Sequence, residues 1–240
     1  MVFIGFHASH EQIPPSALLD AVVSAEWAGF DGAMCSDHLA PWLPEQGESG
    51  FAFSWIAAAL ARTRFPIGLV NAPGQRYHPA IVAQAFGTLE EMFPGRFWAA
   101  LGSGEAMNEH VTGDVWPAKD VRNARLRESV DVIRRLLAGE EVDHDGLVRV
   151  HRARIWTRPA QPPPLFATAV SPETAEWAAG WADGLATVAQ EPSVLRRVVE
   201  AYRSAGGQGP CILQTHVSWG ADDAEAYATA KEQWRQGVVT

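Results

Sequence analysis

Short apolar runs alternate with longer amphipathic stretches along the chain, the pattern of repeated βα units around a parallel sheet. The apolar runs predict strands over 2–8, 31–36, 66–71, 96–101, 164–169, 184–189 and 211–219. Helical spacing predicts helices over 15–29, 53–62, 79–92, 121–137 and 222–234, with another opening at Ser171-Pro172-Glu173. A small hairpin is expected over 142–156. Right-handed βα units in series close best as an eight-stranded barrel, so seven strands predict a TIM-type (β/α)8 barrel that lacks its eighth unit. Val238-Val239 could begin an eighth strand, but two apolar residues are too few to complete one. One domain over residues 1–240, short of its last unit, is the expectation.

Composition narrows the class. The net charge is −9, which argues against a nucleic-acid surface. No stretch has the length and apolarity of a bilayer span, and no charged-then-apolar leader opens the sequence, so a cytoplasmic protein is expected. Cys35 and Cys211 lie in strand-like runs and read as reduced core residues. Ten tryptophans are unusual for this length, and most are expected in the core. Apolar, Trp-rich helices predict a homodimer, while Trp42 and Trp116, in Pro-containing loops, suit pocket walls.

The chemistry-bearing residues fall after strands: His7, Asp37-His38, Asn71, Glu105 with Asn108, and Ser171. A barrel gathers these strand ends around one mouth. His38 and Glu105 then predict an acid/base pair across a pocket, because imidazole titrates near neutrality. Gly102-Ser103-Gly104 permits close approach of backbone to a bound ring. Ser171, capping a helix with proline in its first turn, suits a phosphate. Glu11 could face substrate or make a structural hydrogen bond. Arg76 is expected to anchor its loop, His78 to set the start of a helix, and His216 to be an interior residue of the seventh strand. A metal-dependent hydrolase using His7, His38 and His216 is a competing class, weakened by the lack of a His-x-His pair.

Several motifs in order resemble the luciferase-like flavin and deazaflavin oxidoreductases. They are Ser36-Asp37-His38, Pro41-Trp42, Arg76-Tyr77-His78-Pro79 with Ala83-Gln84-Ala85, and Gly102-Ser103-Gly104-Glu105-Ala106-Met107-Asn108-Glu109. Pro94-Gly95-Arg96, Arg125 to Ser129 and Asp183-Gly184 extend the match, which runs from Gly5 to about Trp219 and is most similar to the F420-dependent glucose-6-phosphate dehydrogenase branch.

The resemblance implies hydride transfer between a flavin or deazaflavin ring and a small organic substrate. His38, Glu105 and Trp42 would be the catalytic residues. Asp37, Asn71, Ala72, Ser103, Gly104, Asn108, Val170 and Ser171 would contact the cofactor. A cis peptide is implied around Val70, Asn71 and Ala72. Three departures stand out. Val170-Ser171 occupies the place of a glycine pair in the family's phosphate turn. The loop Asn71-Ala72-Pro73-Gly74-Gln75 is short, as in a subgroup expected to use FMN, so FMN is favoured over F420. The region that would place basic residues on a sugar phosphate is missing. A non-catalytic flavin-binding protein is the alternative within the same fold.

Overall fold

The computed structural model describes residues 2–235. Seven parallel strands form one sheet in chain order: β1 (Gly5–Ala8), β2 (Gly32–Ser36), β3 (Ile67–Asn71), β4 (Phe97–Leu101), then β7 (Leu165–Thr168), β8 (Leu185–Val188) and β9 (Cys211–Gln214). The antiparallel pair β5 (Val142–Asp145) and β6 (Arg149–Ala153) stands apart as the expected hairpin. Helices α1 (Pro15–Trp27), α2 (Ala52–Arg62), α3 (Pro79–Met92), α5 (Lys119–Leu137), α6 (Pro172–Ala178), α7 (Pro192–Ser204) and α8 (Asp223–Gln233) alternate with the strands. The architecture is a nearly closed TIM-type barrel whose sheet ends at β1 and β9 among the described residues. Val238-Val239 lies outside those residues.

Alternation along each strand sorts the two faces of the sheet. Ala33, Cys35, Ile67, Leu69, Phe97, Ala99, Leu101, Leu165 and Ala167 pack outward on the helices in one large core. Ala100, Phe166 and Ala186, with Val70, Trp98 and Ile212, fill the barrel interior. Trp98 stacks on Phe166 at 5.3 Å, and a Cβ at Gly68 would meet the Trp98 ring at 2.1 Å, so glycine is required there. The interior below the mouth is a packed floor on which a site can rest.

Three helices start where the sequence dictates. His78 accepts from the Ala80 amide ahead of Pro79, and Ser171 accepts from the Thr174 amide ahead of Pro172. Asp222 caps α8 by accepting from the Glu225 amide.

Several expectations need correction. Strand one begins at Gly5 rather than at residue 2, and the last strand ends at Gln214 rather than at 219. His216 therefore lies beyond β9, exposed, and is not an interior strand residue. Cys211 is exposed, because β9 ends the sheet among the described residues. The peptide bonds around Val70, Asn71 and Ala72 are trans, and β3 keeps regular pairing with β4 through Asn71. Helix α7 and the short α4 (Ala106–Glu109) add to the pattern read from sequence.

Candidate active site

The loops after β2, β3, β4 and β7 meet at the carboxyl mouth and enclose a cavity of about 250 Å³. Asp37 and His38 come from the first loop, Val70, Asn71 and Ala72 from the second, and Gly102 to Glu105 from the third. Thr168, Ala169 and Val170 close the far side. Asn108, Glu109, Lys119, Asn123 and Thr174 complete the wall. Of the residues expected to touch cofactor, all but Ser171 line this cavity. Ser171 instead caps α6 and meets Thr174 Oγ1 at 3.2 Å. Trp42 joins the site through His38, packing edge-on against the imidazole at 5.1 Å.

Glycine is needed at two points of the wall. A Cβ on Gly102 would sit 2.5 Å from Thr168 Oγ1. Gly104 has φ +78, and a Cβ there would crowd Glu109 and Ala72 at 3.1 and 3.3 Å.

Asp37 is the structural centre of the cavity. Its Oδ2 accepts from Asn71 Nδ2 at 2.9 Å and from Arg76 at 3.2 Å, and its Oδ1 accepts from the Tyr77 hydroxyl at 3.3 Å. Arg76 also donates to the Asp37 carbonyl at 2.7 Å and lies 3.6 Å from Glu109 Oε1. Arg76 thus anchors its loop, as expected from sequence. Because a carboxylate only accepts, Asn71 must present Nδ2 to Asp37, which points its Oδ1 elsewhere. That oxygen is buried and has no partner. Asn108 Oδ1 accepts from the Leu39 and Ala40 amides at 2.8 and 3.3 Å, fixing the loop that carries Trp42.

The carboxylate bonded to His38 is Glu11, whose Oε1 lies 2.5 Å from Nδ1. Glu11 is 3% exposed and also accepts from Ser9 Oγ. Burial raises the Glu11 carboxyl, but the hydrogen bond and charge of His38 outweigh it and hold the group at about 2. An ionised Glu11 makes His38 Nδ1 the donor and leaves Nε2 as the free nitrogen. Glu105 stands at the open rim; desolvation by its surroundings pushes its carboxyl up, against a smaller opposing effect of His38. His7, His38 and His216 form no group placed to hold a metal ion among the described residues.

Two large shifts at the site act on the acid side of the stability curve. Burial drives the His7 imidazole from 6.5 down to about 4, so the unfolded chain takes that proton first and stability falls across this window. Glu11 is held at about 2 against an ordinary 4.5, so stability falls again as pH drops from 4.5 to 2. Each window is expected to cost about 3 kcal/mol. Urea denaturation at stepped pH should show both losses. His7→Asn should flatten the upper window and Glu11→Gln the lower; unchanged slopes in these variants would refute the assignment.

Sequence reasoning left Glu11 undecided and missed Glu109, Lys119, Asn123, Thr168 and Thr174. The last residues of β7 and the first turns of α5 and α6 supply four of these, and a barrel brings such positions to its mouth.

No helix among the described residues is long and apolar enough to cross a membrane. The model of the luciferase-like monooxygenase family matches residues 1–239. The F420-dependent glucose-6-phosphate dehydrogenase of Intrasporangium calvum is 45% identical over 190 residues, covering 77% of this chain and 57% of that protein. Its counterpart in Nakamurella multipartita is 44% identical over 186 residues, covering 76% of this chain and 55% of the relative. The chain thus spans a little over half the length of these curated relatives. Among solved structures, an F420-dependent secondary alcohol dehydrogenase in complex with an F420-acetone adduct superposes with a TM-score of 0.89 at 35% identity, over 96% of this chain and 73% of that one. A monooxygenase from Streptomyces bottropensis, 21% identical with a TM-score of 0.78, shares the fold. The chain belongs to the luciferase-like monooxygenase family.

Proposed function

We propose that this chain is an oxidoreductase that binds a deazaflavin or flavin ring in the mouth cavity and exchanges hydride with a small organic molecule. The observation that carries the reading is the cavity itself, whose wall is drawn in tightly at Gly102 and Gly104 and includes Asn71 with its buried, unpartnered Oδ1. A ring edge bearing N–H groups supplies the donor that this acceptor lacks. When bound, the ring carries the hydride chemistry.

The chain's own residues supply the rest. Glu11 holds the His38 ring in one orientation, and His38 Nε2 gives or takes the proton at the reacting centre. Glu105 is the second proton-handling group on the same cavity. Asp37 acts through Asn71, and Asn108 through the loop bearing Trp42, rather than by offering free carboxylate or amide oxygens. Ser103, Ala72 and Val170 contribute surface. Lys119 Nζ, 3.2 Å from Thr174 Oγ1 at the far end, holds the anionic arm of the cofactor where the family's glycine pair is replaced by Val170-Ser171. The dehydrogenases named above are F420-dependent, so the preference for FMN drawn from the short loop gains no support from them, and F420 is the first ligand to test.

Titration of the protein with F420 and with FMN, followed by ring fluorescence, tests this. Saturable binding of at least one is expected; binding of neither overturns the reading. If FMN binds, Lys119→Gln should weaken it by up to about tenfold, the scale of a charge-assisted contact, and more at low salt than at high. Riboflavin affinity should not move. Equal losses for FMN and riboflavin would remove Lys119 from the phosphate.

Both cysteines are free thiols, in keeping with a reducing cytoplasmic setting. Trp27, Trp156 and Trp219 are 87%, 84% and 88% exposed, which supports a homodimer. Sedimentation at the mass of one chain would remove the dimer.

A further inference from the structure

Next to His38 runs a series of rings that does not line the mouth cavity. Trp42 meets the Trp234 indole edge-on at 5.9 Å, and Trp234 stacks on His216 at 4.5 Å with an interplanar angle of 29°. Trp234 follows directly on α8, a helix that buries none of its residues, so core packing does not explain where α8 sits. Its end is tied instead to the loop between β2 and α2. Gln46, 5% exposed, donates to the Gln233 carbonyl at 3.0 Å, and Arg235 pairs with Glu45 at 3.3 Å. These contacts hold one indole beside another over His38.

A polar handle lies nearby. On β1, Phe6 and Ala8 pack toward the helices, which sends His7 to the barrel interior. Its Nε2 is buried and unpartnered, and it feels the charges of Glu11, His38 and His216. Burial lowers the His7 imidazole to about 4, and partial desolvation lowers that of His216 as well. Among the described residues, the ion pairs tied to this run of rings are Glu11 with His38 and Glu45 with Arg235, and Glu105 also feels the charge of His38. A phosphate would lose its hydration and meet a carboxylate, whereas a flat apolar molecule would bury its faces against indole and imidazole.

We propose that Trp234, with Trp42 and His216, is the substrate wall on the open side of His38, and that the substrate is an uncharged, flat apolar alcohol or carbonyl compound rather than a sugar phosphate. This rests on the oxidoreductase reading above for which face of His38 the cofactor occupies. It departs from the sugar-phosphate activity in the names of the curated relatives.

The test is a titration of ring-loaded protein with benzyl alcohol and, separately, with glucose 6-phosphate, read by ring fluorescence. Wild type, Trp234→Ala, Trp234→Phe, His216→Ala and the α8 surface variant Lys231→Ala are compared. Benzyl alcohol should saturate the wild type and glucose 6-phosphate should not. Trp234→Ala should bind benzyl alcohol about tenfold more weakly, the scale of one lost aromatic contact. His216→Ala should fall in the same direction, Trp234→Phe should stay near wild type, and Lys231→Ala should match it. Ring affinity should be the same in all five. Saturation by glucose 6-phosphate, by neither probe, or benzyl alcohol affinity unmoved by Trp234→Ala overturns the proposal. Repeating the titration on ring-free protein by tryptophan fluorescence separates the two readings. Failure of the ring to bind while benzyl alcohol saturates would sink the oxidoreductase reading and leave the aromatic wall standing.

Discussion

Replacing His38 with alanine is expected to lower turnover by about 10²- to 10⁴-fold, the range of a lost general acid–base group, while ring affinity changes little. The imidazole lines the mouth cavity and also packs on Trp42 of the aromatic wall beside it. Its Nδ1 is committed to Glu11, so a single nitrogen faces the chemistry. Removing the ring leaves Asn71, Gly102 and Gly104 in place, and these shape the cavity. Glu11→Gln should act in the same direction with a smaller loss, because the amide still offers an oxygen to Nδ1–H but no charge to stabilise an imidazolium. Its signature is a shift in the pH–rate profile. Stopped-flow measurement of ring reduction or oxidation, with an alcohol or carbonyl compound that the wild type turns over, reads both effects. Unchanged turnover in His38→Ala would end the proposed role. A wild type that binds ring but turns over no substrate would favour a non-catalytic flavin-binding protein.

Arg76→Ala should be the most destabilising single change at the site. The guanidinium is 9% exposed and lies between Asp37 and Glu109, whose side chains are 0% and 2% exposed. It also covers the Tyr77 ring at 4.6 Å. Truncation leaves two buried carboxylates without their cation, a loss of about 3–5 kcal/mol and about 10 °C in melting temperature for a domain of this size. Burial already pushes the Glu109 carboxyl up, and Arg76 opposes that push. In the variant, Glu109 can take a proton, so the loss should shrink as pH falls. Calorimetry at two pH values checks the size and the trend. A melting temperature within about 2 °C of wild type would show that the clamp contributes little.

Much of the scaffold was legible because each βα unit carries its own period and punctuation. Five of the seven barrel strands fall within one residue of their apolar runs at both ends, whereas β1 starts three residues late and β9 ends five residues early, and His78 and Ser171 announce their helices. The site was legible where chemistry follows a strand directly, as at Asp37-His38, Asn71 and Gly104-Glu105. It was not legible where packing brings distant segments together. Glu11 lies 27 residues before His38, and nothing local distinguishes its hydrogen bond from a solvent contact. Lys119 reaches Thr174 across 55 residues. Trp234 meets Trp42 only because α8 returns over the mouth. The exposure of Cys211 and His216 follows from β9 being an edge of the sheet, which depends on how the barrel closes rather than on the run of apolar residues around them.

The central claim is that the Asn71–Gly104 cavity holds a redox ring with one face toward His38. A crystal structure of the protein grown with a saturating concentration of the ring that binds in solution tests it most directly. The ring should lie between the Val70–Ala72 and Gly102–Gly104 segments, with an N–H on Asn71 Oδ1 and its reactive face toward His38 and Trp42. A ring bound anywhere else, with this cavity filled by water, would contradict the account.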